Sequence, residues 1–248
     1  MKALITGASS GIGRDISKVL CEKGYDLVIV ARRVELLEEL KSELKTNVEI
    51  VNLDISKREN CEKLFEEHRD MDLVVNNAGF GLFGKFWETD LDKEMSMINT
   101  NIEAVHILTK LYLQEMRKNN YGRILNVASI AGFMPGPLMA TYYATKNYVV
   151  SLTRAFNKEL RKDKSKVKLH LLCPGPVNTN FNNVAGVHFG VKALSSSYVA
   201  EYTINQMFKN KEIIIPGLMI RALRTVNKIV PSSWVLEGTY NTQKGKMK

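Results

Sequence analysis

Residues 2–13 read Lys-Ala-Leu-Ile-Thr-Gly-Ala-Ser-Ser-Gly-Ile-Gly, a short apolar run that leads into a glycine-rich turn. After this turn, the apolar side chains follow a helical period as far as Gly24. Glycine lets the backbone approach a phosphate, and the free N–H groups and dipole at a helix start favour its negative charge. The spacing is Gly-x3-Gly-x-Gly, not the G-x-G-x-x-G fingerprint, and tight turns need glycine anyway. Because this turn lies between a strand and a helix, we predict that it binds a nucleotide.

Apolar runs typical of buried strands alternate with amphipathic helical patterns along the rest of the chain. This alternation predicts an α/β fold, a three-layer doubly wound parallel sheet of the Rossmann type, with about seven strands and helices on both faces. The predicted strands are residues 2–6, 26–30, 48–53, 72–75, 123–128, 167–172 and 212–215. The second predicted helix ends near residue 45. The later helices are predicted to span residues 57–69, 90–118, 141–161, 196–208 and 218–230.

The composition is that of an ordinary globular protein, with 45% hydrophobic and 25% charged residues. An α/β chain of 248 residues is commonly one domain, so we expect residues 1–248 to form a single unit. The apolar runs are too short to span a membrane and the first residues show no charged leader, so we expect a cytoplasmic protein. Cys21, Cys61 and Cys173 are widely separated, which predicts neither a disulfide nor a metal site.

The positive charge is concentrated in the second part of the chain. The formal net charge is +9, yet residues 1–150 carry 19 basic and 21 acidic side chains and the remainder carries 16 and 5. Such asymmetry can signal nucleic acid or an anionic membrane. We interpret the basic run at residues 161–168 as an exposed helix end and loop, the commoner origin of a charge run, and expect no nucleic-acid partner.

The second predicted strand ends in Ala31 and Arg32. A carboxylate at this point accepts a hydrogen bond from the ribose 2′-hydroxyl of NAD, whereas an arginine accommodates the 2′-phosphate of NADP. Arg14 and Ser9 of the glycine turn are also available to such a phosphate. The sequence therefore predicts NADP(H), with Arg32 as the discriminating residue. The alternative, that these arginines merely begin a surface helix, is stronger for Arg33 than for Arg32.

Polar residues also follow the third and fourth predicted strands. Asp54 comes directly after the third strand, where its carboxylate could accept from an adenine amino group. Ser56 could instead be a helix N-cap, with Glu59 three residues later completing a capping box. The fourth strand leads into Asn-Asn-Ala-Gly at residues 76–79, which suits close backbone approach to a cofactor but is also compatible with an ordinary turn.

Tyr142-x-x-x-Lys146 begins the helix that follows the fifth strand. Residues four apart lie on one face of a helix, and a cation beside a phenol lowers the phenol pKa toward neutrality. Such a phenol can serve in proton transfer, although Tyr and Lys at this spacing also occur by chance. Tyr143 projects about 100° around the helix, so we expect it only to pack.

Three later segments are less informative. Residues 80–87 alternate glycine with aromatic residues and could line an apolar substrate mouth or simply pack in the core. Residues 178–195 form a long loop that we predict to be a substrate lid. The C-terminal extension, residues 217–248, contains a basic amphipathic helix and a tail from residue 238 that we expect to be loose. We prefer packing of that helix on the domain or a second subunit, with membrane attachment as the alternative.

Together these motifs resemble the classical short-chain dehydrogenase/reductase family, and the match runs from Thr6 to about Ile215. Residues 6–13 are similar to the family's T-G-x-x-x-G-x-G turn, residues 76–79 to its N-N-A-G, and residues 142–146 to its Y-x-x-x-K. Ser129 precedes the tyrosine by thirteen residues, the family's usual place for the catalytic serine. Asn101 lies at the helix asparagine position, and Pro174-Gly175 matches the element after the sixth strand. Ala104 stands where close relatives often have glycine, a departure we expect to be harmless.

The resemblance implies catalytic roles for four residues. Tyr142 would be the general acid in carbonyl reduction, Lys146 would lower its pKa and hold the nicotinamide ribose, and Ser129 would bond the substrate oxygen. Asn101 would hold a water in a proton relay, and no metal is required. The residues predicted to contact the cofactor are Gly7, Ser9, Ser10, Gly11, Ile12, Gly13, Arg32, Asp54, Asn77, Ala78, Gly79, Tyr142, Lys146, Pro174, Gly175, Val177 and Thr179.

The sequence thus predicts an NADP(H)-dependent oxidoreductase that transfers hydride between nicotinamide and a carbonyl or secondary alcohol substrate, apolar or amphipathic in character. A non-catalytic dinucleotide sensor or scaffold on the same fold is the alternative. The family's usual assemblies imply a homodimer or homotetramer. The C-terminal extension argues against the tetramer, and a dimer through the helices that carry Asn101 and Tyr142 is the expectation.

Overall fold

The computed structural model describes residues 1–179, 193–227 and 229–245. Its strands in this part of the chain are β1 (Lys2–Thr6), β2 (Asp26–Ala31), β3 (Val48–Asn52), β4 (Leu73–Asn76), β5 (Arg123–Val127), β6 (Lys168–Leu172), β7 (Val177–Asn178), β8 (Leu194–Ser195) and β9 (Ile213–Ile214). Seven of them form one sheet in the order β3-β2-β1-β4-β5-β6-β9, with every pairing parallel. The predicted parallel sheet is confirmed. The short pair β7 and β8, also parallel, was not predicted.

The helices of the described residues are α1 (Gly11–Glu22), α2 (Val34–Glu43), α3 (Arg58–Glu67), α4 (Leu91–Ile98), α5 (Ala104–Lys118), α6 (Ala140–Lys162), α7 (Ser196–Phe208), α8 (Leu218–Val226) and α9 (Ser232–Lys244). A π-helical turn, Asn99–Glu103, joins α4 to α5, and a 3-10 turn, Ile130–Phe133, follows β5. None of these helices is both long and apolar enough to cross a membrane.

The sheet buries both of its faces because successive side chains of each strand point to opposite sides. Ile5 and Ile29 pack in one apolar cluster with α1, α2 and α7. Leu4 and Val28 pack in a second cluster with α3, α5 and the end of α6. The two clusters produce the three-layer arrangement that the sequence predicted.

A buried polar network crosses the middle of the second layer. The Asn76 amide on β4 donates to Asn126 Oδ1 at 2.9 Å and to Thr109 Oγ1 on α5 at 3.1 Å. The Asn126 amide on β5 donates in turn to Thr153 Oγ1 on α6 at 3.0 Å. Buried polar groups must be paired to avoid a desolvation cost, so this network fixes how α5 and α6 sit on the sheet.

The helical stretch predicted over residues 90–118 is confirmed as α4 and α5, with the π turn Asn99–Glu103 between them. The capping box at Ser56 does not form: α3 begins after Lys57, and the Ser56 N–H donates to Asp54 Oδ1 at 3.0 Å. Most of the predicted substrate lid, residues 180–192, lies outside the described residues.

The C-terminal tail also differs from its prediction, since residues 238–244 belong to helix α9 rather than to a loose end. Gln243 is buried, and its Nε2 donates to the hydroxyl of Tyr143 on α6 at 2.9 Å. Thr239 and Gln243 lie four apart, so both reach the same side of α9. The sequence of the tail does not reveal this contact, because Tyr143 lies one hundred residues earlier in the chain.

Candidate active site

A cleft of about 470 Å³ opens at the carboxyl ends of the strands, where the strand order reverses between β1 and β4. Ligands of open α/β sheets bind at this topological switch point. Most of the predicted cofactor residues line it: Gly7, Ser9, Ser10, Gly11, Ile12, Arg32, Asp54, Asn77, Ala78, Gly79, Tyr142, Lys146 and Thr179. Gly13, Pro174, Gly175 and Val177 are not among its lining residues.

The glycine turn needs its glycines for two separate reasons. Gly7 and Gly11 have φ angles of +67° and +56°, a region that other residues rarely adopt. A Cβ on Gly7 would also stand 2.7 Å from the Ala78 Cα. A Cβ on Gly13 would stand 2.4 Å from Asn77 Nδ2, so Gly13 lets α1 pack under the turn instead of contacting a ligand.

Asn77 ties the glycine turn to the end of β4. Its Nδ2 donates to the carbonyl oxygens of Thr6 at 3.0 Å and Gly7 at 3.1 Å. In return, Thr6 Oγ1 accepts from the backbone N–H groups of Asn77 at 3.0 Å and Ala78 at 3.1 Å. These four bonds explain why an amide side chain and a threonine stand at these positions, and they hold the cleft floor in one shape.

Arg33 lines the cleft, although the sequence favours a place for it at the start of a surface helix. Its Nη2 lies 3.1 Å from Ser9 Oγ and 3.2 Å from Ser10 Oγ. Arg32 is exposed at the cleft edge, with Nη1 at 3.9 Å from Asp54 Oδ2. Two guanidinium groups and two hydroxyls therefore line the same cleft, and such a set suits a phosphate group.

Arg14 is not available to a ligand as the sequence suggested. Its guanidinium bonds Glu39 at 2.9 Å and Glu43 at 2.5 Å, both on α2. Arg14 therefore ties α1 to α2. The signal that could have separated the three arginines is the spacing of Glu39 and Glu43, which places two carboxylates on one face of α2, where Arg14 binds both.

Tyr142 and Lys146 share the buried face of α6, one helical turn apart, as predicted. The Ser129 side chain lies close enough to the Tyr142 phenol to lower its pKa. Ser129 Oγ also accepts from the Ala131 N–H at 3.1 Å, which starts the 3-10 turn after β5. Lys146 Nζ donates to the Val127 carbonyl oxygen at 3.1 Å. The end of β5 and the start of α6 thus bring together three of the four predicted catalytic side chains.

Burial shifts the pKa values of both residues of the pair. It raises the pKa of the Tyr142 phenol well above its ordinary value, while the neighbouring Ser129 side chain acts in the opposite direction. Burial also lowers the pKa of Lys146 to about 8. Lys146 Nζ lies 5.9 Å from the Tyr142 ring centroid. The phenol pKa therefore does not show the predicted depression in this structure, because desolvation of the phenol is the dominant influence.

Asn101, in the π turn, is fully buried and serves as a clamp. Its Nδ2 donates to the Phe80 carbonyl oxygen at 2.9 Å and to Thr145 Oγ1 at 3.1 Å. Its Oδ1 accepts from the Phe80 N–H at 3.1 Å. Because both amide hydrogens are used, the side chain positions the Phe80 segment against α6. Its predicted part in a proton relay stays a prediction.

The residues after β6 shape the site from outside the cleft. The Pro174 carbonyl oxygen accepts from the Ile130 N–H at 2.9 Å, which holds the 3-10 turn beside β6. A Cβ on Gly175 would stand 2.6 Å from Ile220 Cδ1, so glycine here lets α8 approach. Val177 belongs to β7 and is buried, whereas Thr179 reaches the cleft at the glycine turn.

Comparison with known proteins confirms the family resemblance of the sequence motifs. Residues 1–186 match the sequence profile of the family described as short chain dehydrogenase. The chain belongs to this family. An uncharacterised oxidoreductase of Staphylococcus epidermidis is 31% identical to this short-chain dehydrogenase over 224 residues, 88% of this chain and 96% of that protein.

Two solved structures of short-chain dehydrogenases are similar to this one, each with 25% sequence identity and a TM-score of 0.81. The enzyme from Sphingobium yanoikuyae, in complex with NADPH, matches over 92% of this chain and 93% of its own. The enzyme from Burkholderia phymatum, in complex with NAD, matches over 90% and 91%. The likeness supports a nicotinamide dinucleotide as the cofactor of this short-chain dehydrogenase.

Proposed function

We propose that this short-chain dehydrogenase reduces an apolar or amphipathic carbonyl compound with NADPH, or oxidises the corresponding secondary alcohol with NADP. The observation that carries the proposal is the convergence of the Tyr142 and Ser129 side chains beside Lys146, at the inner end of the dinucleotide cleft. Two neighbouring hydroxyls are the donor set that a developing alkoxide needs.

Each residue has a separate task in this reaction. Tyr142 keeps its proton at neutral pH because burial raises its pKa, and it gives that proton to the substrate oxygen. Ser129 donates a second hydrogen bond to the same oxygen. The bound nicotinamide supplies the hydride to the carbonyl carbon. Lys146 puts a buried positive charge near the oxygen as negative charge develops there.

The preference for NADP(H) rests on Arg32 and Arg33. The cleft edge beyond β2 offers two guanidinium groups with the hydroxyls of Ser9 and Ser10, and a 2′-phosphate would accept from all four. Asp54 is the acidic residue that lines this part of the described cleft, and Arg32 stands 3.9 Å from it. An acid that is already paired competes poorly for a ribose hydroxyl.

The substrate side of the site is apolar. Phe80, Leu82, Phe83 and Tyr143 pack around the buried cluster that contains Met97, Met139 and Tyr142. Phe86 and Trp87, farther along the same loop, are exposed. An apolar wall beside a polar catalytic pair favours a ketone or aldehyde with a hydrophobic group. We further propose that the enzyme is one domain, acts in the cytoplasm and assembles as a homodimer or homotetramer.

The test is a panel of carbonyl compounds followed by NADPH absorbance, with NADH measured in parallel. The panel should run from small ketones through 3-oxoacyl compounds to steroid-like ketones. We expect turnover of a hydrophobic member with NADPH, and a lower kcat/KM with NADH. Consumption of neither nucleotide with any member, despite tight NADPH binding, would favour the non-catalytic sensor instead.

A further inference from the structure

Helix α8 is amphipathic, but its apolar side faces outward. At about 100° per residue, four large apolar side chains fall within one arc of about 140° around its axis. Their exposed fractions lie between 44% and 79%. A surface helix normally turns its apolar stripe toward the core. The four residues are Leu218, Met219, Leu223 and Val226.

The inward side of α8 is held by the buried Ile220, which packs in a core cluster, and by two basic side chains. Arg221 Nε donates to the Ile215 carbonyl oxygen at 2.8 Å, and its guanidinium also bonds the Tyr202 hydroxyl. The Arg224 guanidinium lies 4.5 Å from the centroid of the Phe133 ring. These contacts fix the rotation of the helix, so the exposed apolar arc is a built feature of the fold.

A cationic pocket of about 280 Å³ lies beside this helix, between α8, α7 and β9. Lys211, Arg221 and Arg224 line it together with Thr225, and none of its lining residues in the described chain is acidic. Arg224 Nε is buried and finds no hydrogen-bond partner among the described residues. An anion such as a phosphate group would supply that partner. On the helix, Thr225 is next to the apolar arc, so the pocket borders it.

We propose that α8 docks this protein on the surface of an anionic lipid bilayer. The apolar arc of α8 enters the boundary between headgroups and acyl chains, and the bordering pocket receives a lipid phosphate. Trp234, at the start of α9, is a further large apolar side chain of this segment and is 72% exposed. Amphipathic helices with basic residues and an exposed tryptophan bind bilayers in this way, without spanning them.

The charge of this region favours a bilayer over a second copy of the chain. Residues 217–248 contain six basic side chains and one acidic side chain. A two-fold contact through α8 would bring two such segments face to face, and like charges repel. Anionic headgroups attract the same segment, and each basic residue near such a surface adds to binding.

The test is co-sedimentation of the full-length protein with vesicles of phosphatidylcholine alone or with about one-third phosphatidylglycerol. We expect binding to the anionic vesicles only, and weaker binding as salt is raised. Met219→Glu with Leu223→Glu should lower the partition coefficient at least about tenfold. Lys211→Gln should lower it about fivefold. The matched control is Tyr121→Glu, at an exposed site before β5, which should bind as the unchanged protein does.

Circular dichroism and NADPH binding check that each variant is folded. Absence of binding to anionic vesicles overturns the proposal, and so does binding that the double variant leaves unchanged. Sedimentation velocity identifies the other occupants. If the unchanged protein is a dimer and the double variant is a monomer, the apolar arc of α8 contacts a second copy of the chain. If the protein is a monomer that does not bind vesicles, the arc is covered by a segment of the same chain. Reduction of a soluble ketone is measured in the absence of vesicles. A failure of the proposed reductase function would therefore leave the test of membrane docking unaffected.

Discussion

The amine of Lys146 donates to the carbonyl oxygen of Val127 at 3.1 Å, within a site that buries the whole lysine side chain. One end of β5 is thereby tied to the helix that carries Tyr142. The bond compensates for only part of the cost of burying an ammonium group, because burial still lowers the pKa of Lys146 to about 8. This cost has a measurable consequence for stability.

Lys146→Met should change how stability depends on pH in the protein without added cofactor. The lysine pKa is about 8 when folded and near 10.5 when unfolded, so between these values the unfolded chain binds more protons. Stability from this group therefore rises as pH increases from 8 toward 10, by about 2 kcal/mol. Urea unfolding at the two pH values isolates this contribution as a difference between variants. From pH 8 to pH 10, the free energy of unfolding should change by about 2 kcal/mol more favourably in the unchanged protein and in the exposed control Lys110→Met than in Lys146→Met. The same pH dependence in Lys146→Met and the unchanged protein would contradict the assigned pKa.

Arg33→Gln should weaken NADPH more than NADH. The loss removes a charge-assisted bond to the 2′-phosphate, for which we expect about a tenfold rise in the Kd for NADPH. Arg32→Asp should reverse the preference toward NADH. Fluorescence titration of both nucleotides measures the ratio, with Arg58→Gln as the control because Arg58 pairs with Glu62 on the surface of α3. If neither variant moves the ratio, the NADP assignment is wrong.

Asn101→Ala should destabilise the fold as well as the reaction. It leaves the N–H and carbonyl oxygen of Phe80 without their partner, and buried groups without partners cost about 1–3 kcal/mol each. We expect a loss of about 2–4 kcal/mol in the free energy of unfolding, measured in urea. The exposed Asn119→Ala, at the end of α5, is the matched control and should stay within about 0.5 kcal/mol. Full stability in Asn101→Ala would contradict the clamp.

Gln243→Ala and Tyr143→Phe should be coupled. Each removes one partner of the 2.9 Å bond that joins α9 to α6. In a double-mutant cycle, we expect a coupling free energy of about 1 kcal/mol. The pair Asn241→Ala and Tyr143→Phe is the control cycle, because Asn241 is exposed and bonds Glu237 within α9. Strict additivity for the first pair would mean that α9 does not dock as described.

The sheet and most of the cleft could be predicted from sequence because period-2 and period-3.6 patterns, glycine turns and strand-end polar residues are local signals. Arg14, Arg32 and Arg33 could not be sorted that way. Their roles depend on Glu39 and Glu43 for the first and on Ser9 and Ser10 for the last, and these partners lie about 25 residues away in the chain.

The other features that the sequence did not predict depend on tertiary contacts. The tail helix depends on the bond from Gln243 to Tyr143, one hundred residues apart. The pKa of Tyr142 depends on its burial, which a Tyr-x-x-x-Lys pattern does not report. The outward apolar side of α8 shows only when Arg221 and Arg224 are seen to hold the inner side.

The most direct test of the catalytic assignment is Tyr142→Phe. The substitution removes one hydroxyl and keeps the ring that packs with Met97 and Met139. We predict a fall in kcat of at least about a hundredfold on the best carbonyl substrate, with the Kd for NADPH unchanged within about twofold. Tyr143→Phe is the neighbouring control and should keep most of its activity. Unchanged turnover in Tyr142→Phe would contradict the assignment of Tyr142 as the proton donor.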